Sequence, residues 1–186
     1  MLSSDPRYGN YVKILREELV PAMGCTEPIA IAYGAAKARE LLGALPDSVT
    51  IEVSGNIIKN VKSVVVPNTD NLKGIEAAAA AGIVAGQSAK ILEVISEVTP
   101  EQRAEIRAYL NSHTFVVKPA EGDKIFDIIL TLRAGGNYTK LRISDYHTHI
   151  VYIEKNGDVL LQSGEIMDDS ARDMLTDRSC MSVEGV

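Results

Sequence analysis

The dipeptide Asn156-Gly157, set between residues 147–154 and the run Val159-Leu160-Leu161, constrains the fold more than any other feature of the chain. Two β-prone apolar runs separated by Asn-Gly read as a two-residue hairpin, because the favoured turn needs positive φ at both central residues and Asn and Gly tolerate it. The pattern extends backwards. Phe126, Ile128, Leu130 and Leu132 alternate with other residues, Gly135-Gly-Asn137 turns, and residues 138–144 follow as a further strand. Connections this short join antiparallel neighbours, since a parallel pair needs a crossover of about a dozen residues or more. The second half is therefore predicted to be a β-meander, with His147 and His149 on one face of a strand.

The first half reads as helical. Tyr8, Tyr11, Val12, Leu15 and Leu19 recur at helical spacing after Asp5-Pro6, and Pro21 ends that run. A second helix opens at Pro28, where the first turn welcomes proline, and runs to Leu42 before Gly43. Residues 49–53 and 61–66 read as strands, with Ser54-Gly-Asn-Ile-Ile-Lys-Asn60 between them as a turn and a short mixed segment. Residues 71–89 form a helix of small residues in which Gly82 and Gly86 imply close packing. Thr99-Pro-Glu-Gln102 is a capping box that starts another helix at Pro100. The predicted fold class is α+β, helices packed on a mixed, largely antiparallel sheet. Residues 1–166 are expected to make this domain, and residues 167–186, with one short helix, to lead away from it.

Composition narrows the function. At 186 residues, 46% hydrophobic and 24% charged, the chain can bury a core without disulfides. A formal charge of −6, no Lys/Arg run, no Trp and two Phe disfavour nucleic acid as a partner. No apolar stretch is long enough to span a bilayer and the start is polar, so neither a membrane nor a secretory route is expected. Two cysteines, Cys25 and Cys180, read as reduced thiols of a cytoplasmic protein. Walker, G-x-G-x-x-G, G-x-S-x-G and C-x-x-C motifs are absent, and no Lys stands in a pyridoxal context.

Three places carry chemistry-bearing residues. Cys25 follows Gly24 and precedes a helix start, where the helix dipole favours a thiolate and a pKa below that of a free thiol. Such a sulfur can be a base, a nucleophile or a metal ligand, with Glu27 beside it to accept a proton or anchor an ammonium group; a small packed thiol is the plainer reading. Asn56 with Asn60, and Asn68 with Thr69, lie at strand ends and can hold a carboxylate or amino group, although turn chemistry also explains them. His147 and His149 can act as acid/base or metal ligands, yet two histidines fill half of a typical zinc site, and an exposed strand pair is the plainer alternative.

Taken together, Glu18-Leu-Val-Pro-Ala-Met-Gly-Cys-Thr-Glu-Pro28, Ser54-Gly-Asn-Ile-Ile-Lys-Asn60, Val65-Val-Pro67 with Thr69, and His147-Thr-His-Ile150 resemble the L-cysteine desulfidase family, itself related to the iron–sulfur L-serine dehydratase α chain. The resemblance runs over nearly the whole chain. It implies a lyase of amino-acid catabolism that carries a [4Fe–4S] cluster with one open iron and eliminates sulfide from L-cysteine, or water from L-serine, to give ammonia and pyruvate. It further implies Cys25 and Glu27 as catalytic residues, Cys25 being the base or a resting-state cluster ligand. Thr26, Asn56, Asn60, Asn68, Thr69, His147 and His149 would then bind a small amino-acid substrate. The family's cluster cysteines lie in a carboxy-terminal half, and two thiols cannot replace them. The expectation is thus a truncated amino-terminal domain, without a cluster and inactive alone, completed by a cluster domain in cis or in trans and leaving room for a homo-oligomer. The alternative is a split or degenerate product that serves as a non-catalytic binding or regulatory module.

Overall fold

Strands β1 (Ser48–Val53), β2 (Thr114–Pro119), β3 (Asp127–Ala134), β4 (Asn137–Ser144), β5 (Ile150–Lys155) and β6 (Asp158–Gln162) form one sheet in the order β2-β1-β3-β4-β5-β6. This is seen in a computed structural model that describes residues 3–19, 21–163 and 176–182. From β3 to β6 the strands run as the expected antiparallel meander, and the turn into β6 has Asn156 at φ 53° and Gly157 at φ 93°. The fold is α+β, as the pattern predicts. One pairing was not legible: β1 lies antiparallel to β3 but parallel to β2. Three α-helices and a short 3-10 helix (Ser88–Glu93) lie between β1 and β2 in sequence, a crossover long enough for a parallel pair.

One sheet face is apolar. Val49, Ile51 and Val53 of β1, Ile128, Leu130 and Leu132 of β3, and Leu141 and Ile143 of β4 are all buried. Helix α2 (Thr26–Leu42) lies between this face and α4 (Gly74–Ala85), which explains why it is buried nearly all round rather than on a single stripe. Glycines allow the approach on both sides. A Cβ on Gly34 would meet Leu130 Cδ1 at 2.7 Å, and one on Gly82 would overlap the Ala32 carbonyl. The small-residue helix therefore serves backbone packing, and it holds α2 in place. Helix α5 (Pro100–Ser112) begins with the capping box, Gln102 N–H donating to Thr99 Oγ1 at 3.3 Å and Thr99 N–H to Gln102 Oε1 at 3.0 Å.

Four expectations about local structure change. Residues 55–61 form a helix, α3 (Gly55–Val61), because Ile57 and Val61, one turn apart, both reach the core. The strand expected at 61–66 shrinks to a bridge between Val65 and Lys73. Helix α4 starts at Gly74 rather than at 71, since Asn68, Asp70 and Asn71 take φ of 56°, 52° and 66° and cannot continue a right-handed helix. His147 and His149 stand in the turn before β5, not in it, because Asp145 at φ 70° breaks the extended run.

The chain divides into a unit of residues 22–163 and a unit of residues 1–21 with 164–186. In the second unit, α1 (Tyr8–Glu18) carries Tyr11, whose hydroxyl donates to Cys180 O at 3.2 Å and accepts from Ser182 N–H at 3.0 Å. The short helix expected near the end lies outside the described residues.

Candidate thiol–carboxylate site

Gly24 has φ 154° and lies against Pro67, where a Cβ would come within 3.2 Å of the ring. Met23 N–H donates to Leu92 O at 3.4 Å. These contacts deliver Cys25 to the N-cap of α2 with φ −58° and ψ 123°, and its side chain makes no capping bond to the helix. The sulfur turns elsewhere. Cys25 Sγ donates to Glu27 Oε2 at 3.0 Å, and Asn60 Nδ2 donates to Glu27 Oε1 at 3.4 Å. The carboxylate is thus held between a thiol from its own helix start and an amide from the end of α3.

Beside this trio, Thr26 Oγ1 makes a 3.0 Å hydrogen bond with His147 Nε2, joining residues 121 positions apart. The imidazole rests on Phe126, ring centroids 4.5 Å apart. Five of the sequence candidates (Cys25, Thr26, Glu27, Asn60 and His147) therefore share one place. Phe126 is the residue that sequence reasoning missed; its alternation marks a strand, and nothing in it marks a platform under a histidine.

The other candidates have different employment. Asn68 Nδ2 donates to Ile95 O at 3.0 Å and Ser96 O at 3.2 Å, and the buried Thr69 Oγ1 donates to Val66 O at 2.7 Å. Both shape the loop behind Pro67. His149 Nδ1 lies 3.2 Å from Ser144 O, away from the Thr26–His147 pair's bonding. Asn56 is exposed near the start of α3, where Ser54 and Gly55 line a 210 Å³ cavity with residues of the 120–124 loop and Asp127.

Charge at the site runs opposite to the helix-dipole expectation. Partial burial of the sulfur, then its hydrogen bond and proximity to the Glu27 carboxylate, push the Cys25 thiol up, although the residue as a whole is exposed. The Cys25 bond is the largest cause that lowers Glu27, with a smaller contribution from Asn60. Burial and a full negative charge at contact together outweigh the partial positive charge of a helix end. Burial lowers His147, and Glu27 opposes that shift weakly. At neutral pH the site thus holds a thiol, a carboxylate and a neutral imidazole.

Among the described residues no three His, Cys, Asp or Glu side chains converge to hold a metal ion. Cys25 is engaged with Glu27, and the two histidines bond to separate partners. Among the described residues the donors that come together fit neither a cluster nor a zinc ion.

Fold and site together define an α+β domain with a carboxylate-paired thiol at a helix start. No family model matches the chain, and no solved structure matches it. It is similar throughout to UPF0597 proteins. It is 59% identical to one from Desulfitobacterium hafniense over 186 residues, which cover 100% of this chain and 43% of that protein. It is 43% identical to one from Treponema denticola over 180 residues (97% and 42%), and 46% identical to one from Lachnoclostridium phytofermentans over 179 residues (96% and 42%). The chain thus spans less than half the length of these relatives.

These matches correct the family reading. The proteins aligned along the whole chain are named UPF0597, not L-cysteine desulfidase or iron–sulfur serine dehydratase, and the described residues present no metal-holding group. The assignment as an iron–sulfur lyase domain of amino-acid catabolism falls with it.

Proposed function

We propose that the start of α2 is an acid–base centre acting on a small polar molecule, with Cys25 as proton donor and Glu27 as proton acceptor. The observation that carries this reading is the 3.0 Å hydrogen bond from Cys25 Sγ to Glu27 Oε2, with Asn60 orienting the second carboxylate oxygen. A reacting group, a base within hydrogen-bond reach and a third group that fixes the base form the recurring plan of side-chain catalysis. The raised thiol keeps its proton and the lowered carboxylate stays ionised, so at neutral pH the pair presents one proton and one acceptor side by side. Thr26 and the neutral His147 offer a hydroxyl and an imidazole beside the pair for a substrate's polar groups. No helix among the described residues is long and apolar enough to cross a membrane, and the two free thiols support a cytoplasmic setting.

The test is proton exchange. Small hydroxy, amino and oxo acids are incubated in deuterated water with this chain and with the full-length Desulfitobacterium relative, and label at carbon is followed by NMR. Exchange that Cys25→Ala and Glu27→Gln each abolish supports the reading. Exchange at the buffer rate for every compound, with no shift of the His147 resonance, refutes it.

A further inference from the structure

We propose that the β6 margin of the sheet seats the further polypeptide that the longer relatives carry outside the matched stretch, independently of the acid–base reading. Among the described residues strand β6 is the outermost strand, and it is exposed along its whole length. Val159, Leu160 and Leu161 are 51%, 54% and 38% exposed, three consecutive large apolar side chains with no Lys, Arg or Pro among them. The opposite margin is guarded. Strand β2 ends in Lys118-Pro119, and Lys118 Nζ lies 3.1 Å from a Glu52 carboxylate oxygen. Sheets ordinarily blunt a free edge with charge or proline, so the two margins are built for different surroundings.

The details of β6 decide among occupants. The β5–β6 register shifts between Ile153 and Glu154, leaving Leu160 without a partner across the ladder. Such a bulge spoils the regular row of backbone groups that a second copy would need to extend the sheet. What remains to be covered is the apolar side chains, and packing against another folded body does that. The alignments cover 42–43% of the relatives, so more than half of each lies outside the matched stretch, enough for a further domain. Contiguous exposed apolar residues rimmed by polar ones, here Asp158 and Gln162, mark an interaction site rather than ordinary surface.

Hydrogen exchange on the full-length Desulfitobacterium relative and on this chain tests the assignment. The amides aligned with residues 158–162 are expected to exchange at least tenfold more slowly in the relative, while those aligned with β2 exchange alike in both. Lysine at the position aligned with Leu160 should restore fast exchange in the relative. Leu160→Lys in this chain should leave its melting temperature unchanged, since that side chain has little packing to lose. Equal exchange at β6 in the two proteins overturns the proposal. So does a concentration-dependent dimer of this chain that Leu160→Lys dissociates, because the occupant is then a second copy.

Discussion

Cys25 and Glu27 stand two residues apart at the start of one helix, and their side chains meet, Sγ to Oε2 at 3.0 Å. Helix geometry alone does not face such neighbours toward each other. The N-cap conformation of Cys25 does so by swinging its sulfur out of the capping position and over the first turn. The consequence is electrostatic. A residue placed where a helix end would favour a thiolate is instead held as a thiol by its partial burial and by the carboxylate it touches.

The first prediction concerns that thiol. Glu27→Gln removes the charge that, after partial burial, raises Cys25. The thiolate fraction at neutral pH should then increase, about tenfold for each pKa unit recovered. Iodoacetamide labelling of Cys25 across pH should show its midpoint move down in the variant. A midpoint that stays in place would mean that burial alone sets it.

His147 should titrate below 6.5, because its burial disfavours the charged ring. The sign for stability follows. A folded midpoint below the unfolded one gives a contribution present above pH 6.5 that is lost as pH falls through the folded midpoint. Urea midpoints should therefore drop more steeply on acidification in the native protein than in His147→Gln. Glu27→Gln should depress the ring's midpoint further, since the carboxylate is what opposes the shift. NMR of the imidazole Hε1 proton checks both.

What was legible in the sequence was what is local. The Asn156-Gly157 hairpin, the alternation of Ile128, Leu130 and Leu132, and the Thr99–Gln102 box each depend on residues within a few positions, and each is found. Helix α3 was not legible because Gly55 and Asn56 speak for a turn, and burial of Ile57 and Val61 overrides them. The parallel β1–β2 pair depends on how intervening helices pack, which no local pattern records. At the site, Pro28 placed Cys25 near a helix start. Its bond to Glu27 follows from a side-chain direction, and the Thr26–His147 bond from a contact 121 residues long.

Gly82 offers a test of how α2 is held. A Cβ there would overlap the Ala32 carbonyl, which is backbone and cannot swing aside. Gly82→Ala should cost about 3 kcal/mol, the upper range for overpacking a close contact. Gly136→Ala, with nothing within 4 Å of the added carbon, should stay within about 0.5 kcal/mol of the parent. Urea unfolding of the two variants side by side gives the comparison.

Asp127 links the sheet to the floor of the site. It is the first residue of β3 and follows Phe126, on which His147 rests. Its side chain is 2% exposed and accepts from Arg142 Nε at 2.8 Å and from a second guanidinium nitrogen at 3.0 Å. Its backbone carbonyl accepts from Ser54 N–H at 3.0 Å. Asp127→Ala removes the buried acceptor of two charged hydrogen bonds and should cost about 2 kcal/mol. Phe126 would also lose its anchored neighbour, so Asp127→Ala should move the His147 titration midpoint back toward 6.5. An unchanged midpoint alongside the full stability loss would show that β3 holds Phe126 without the ion pair.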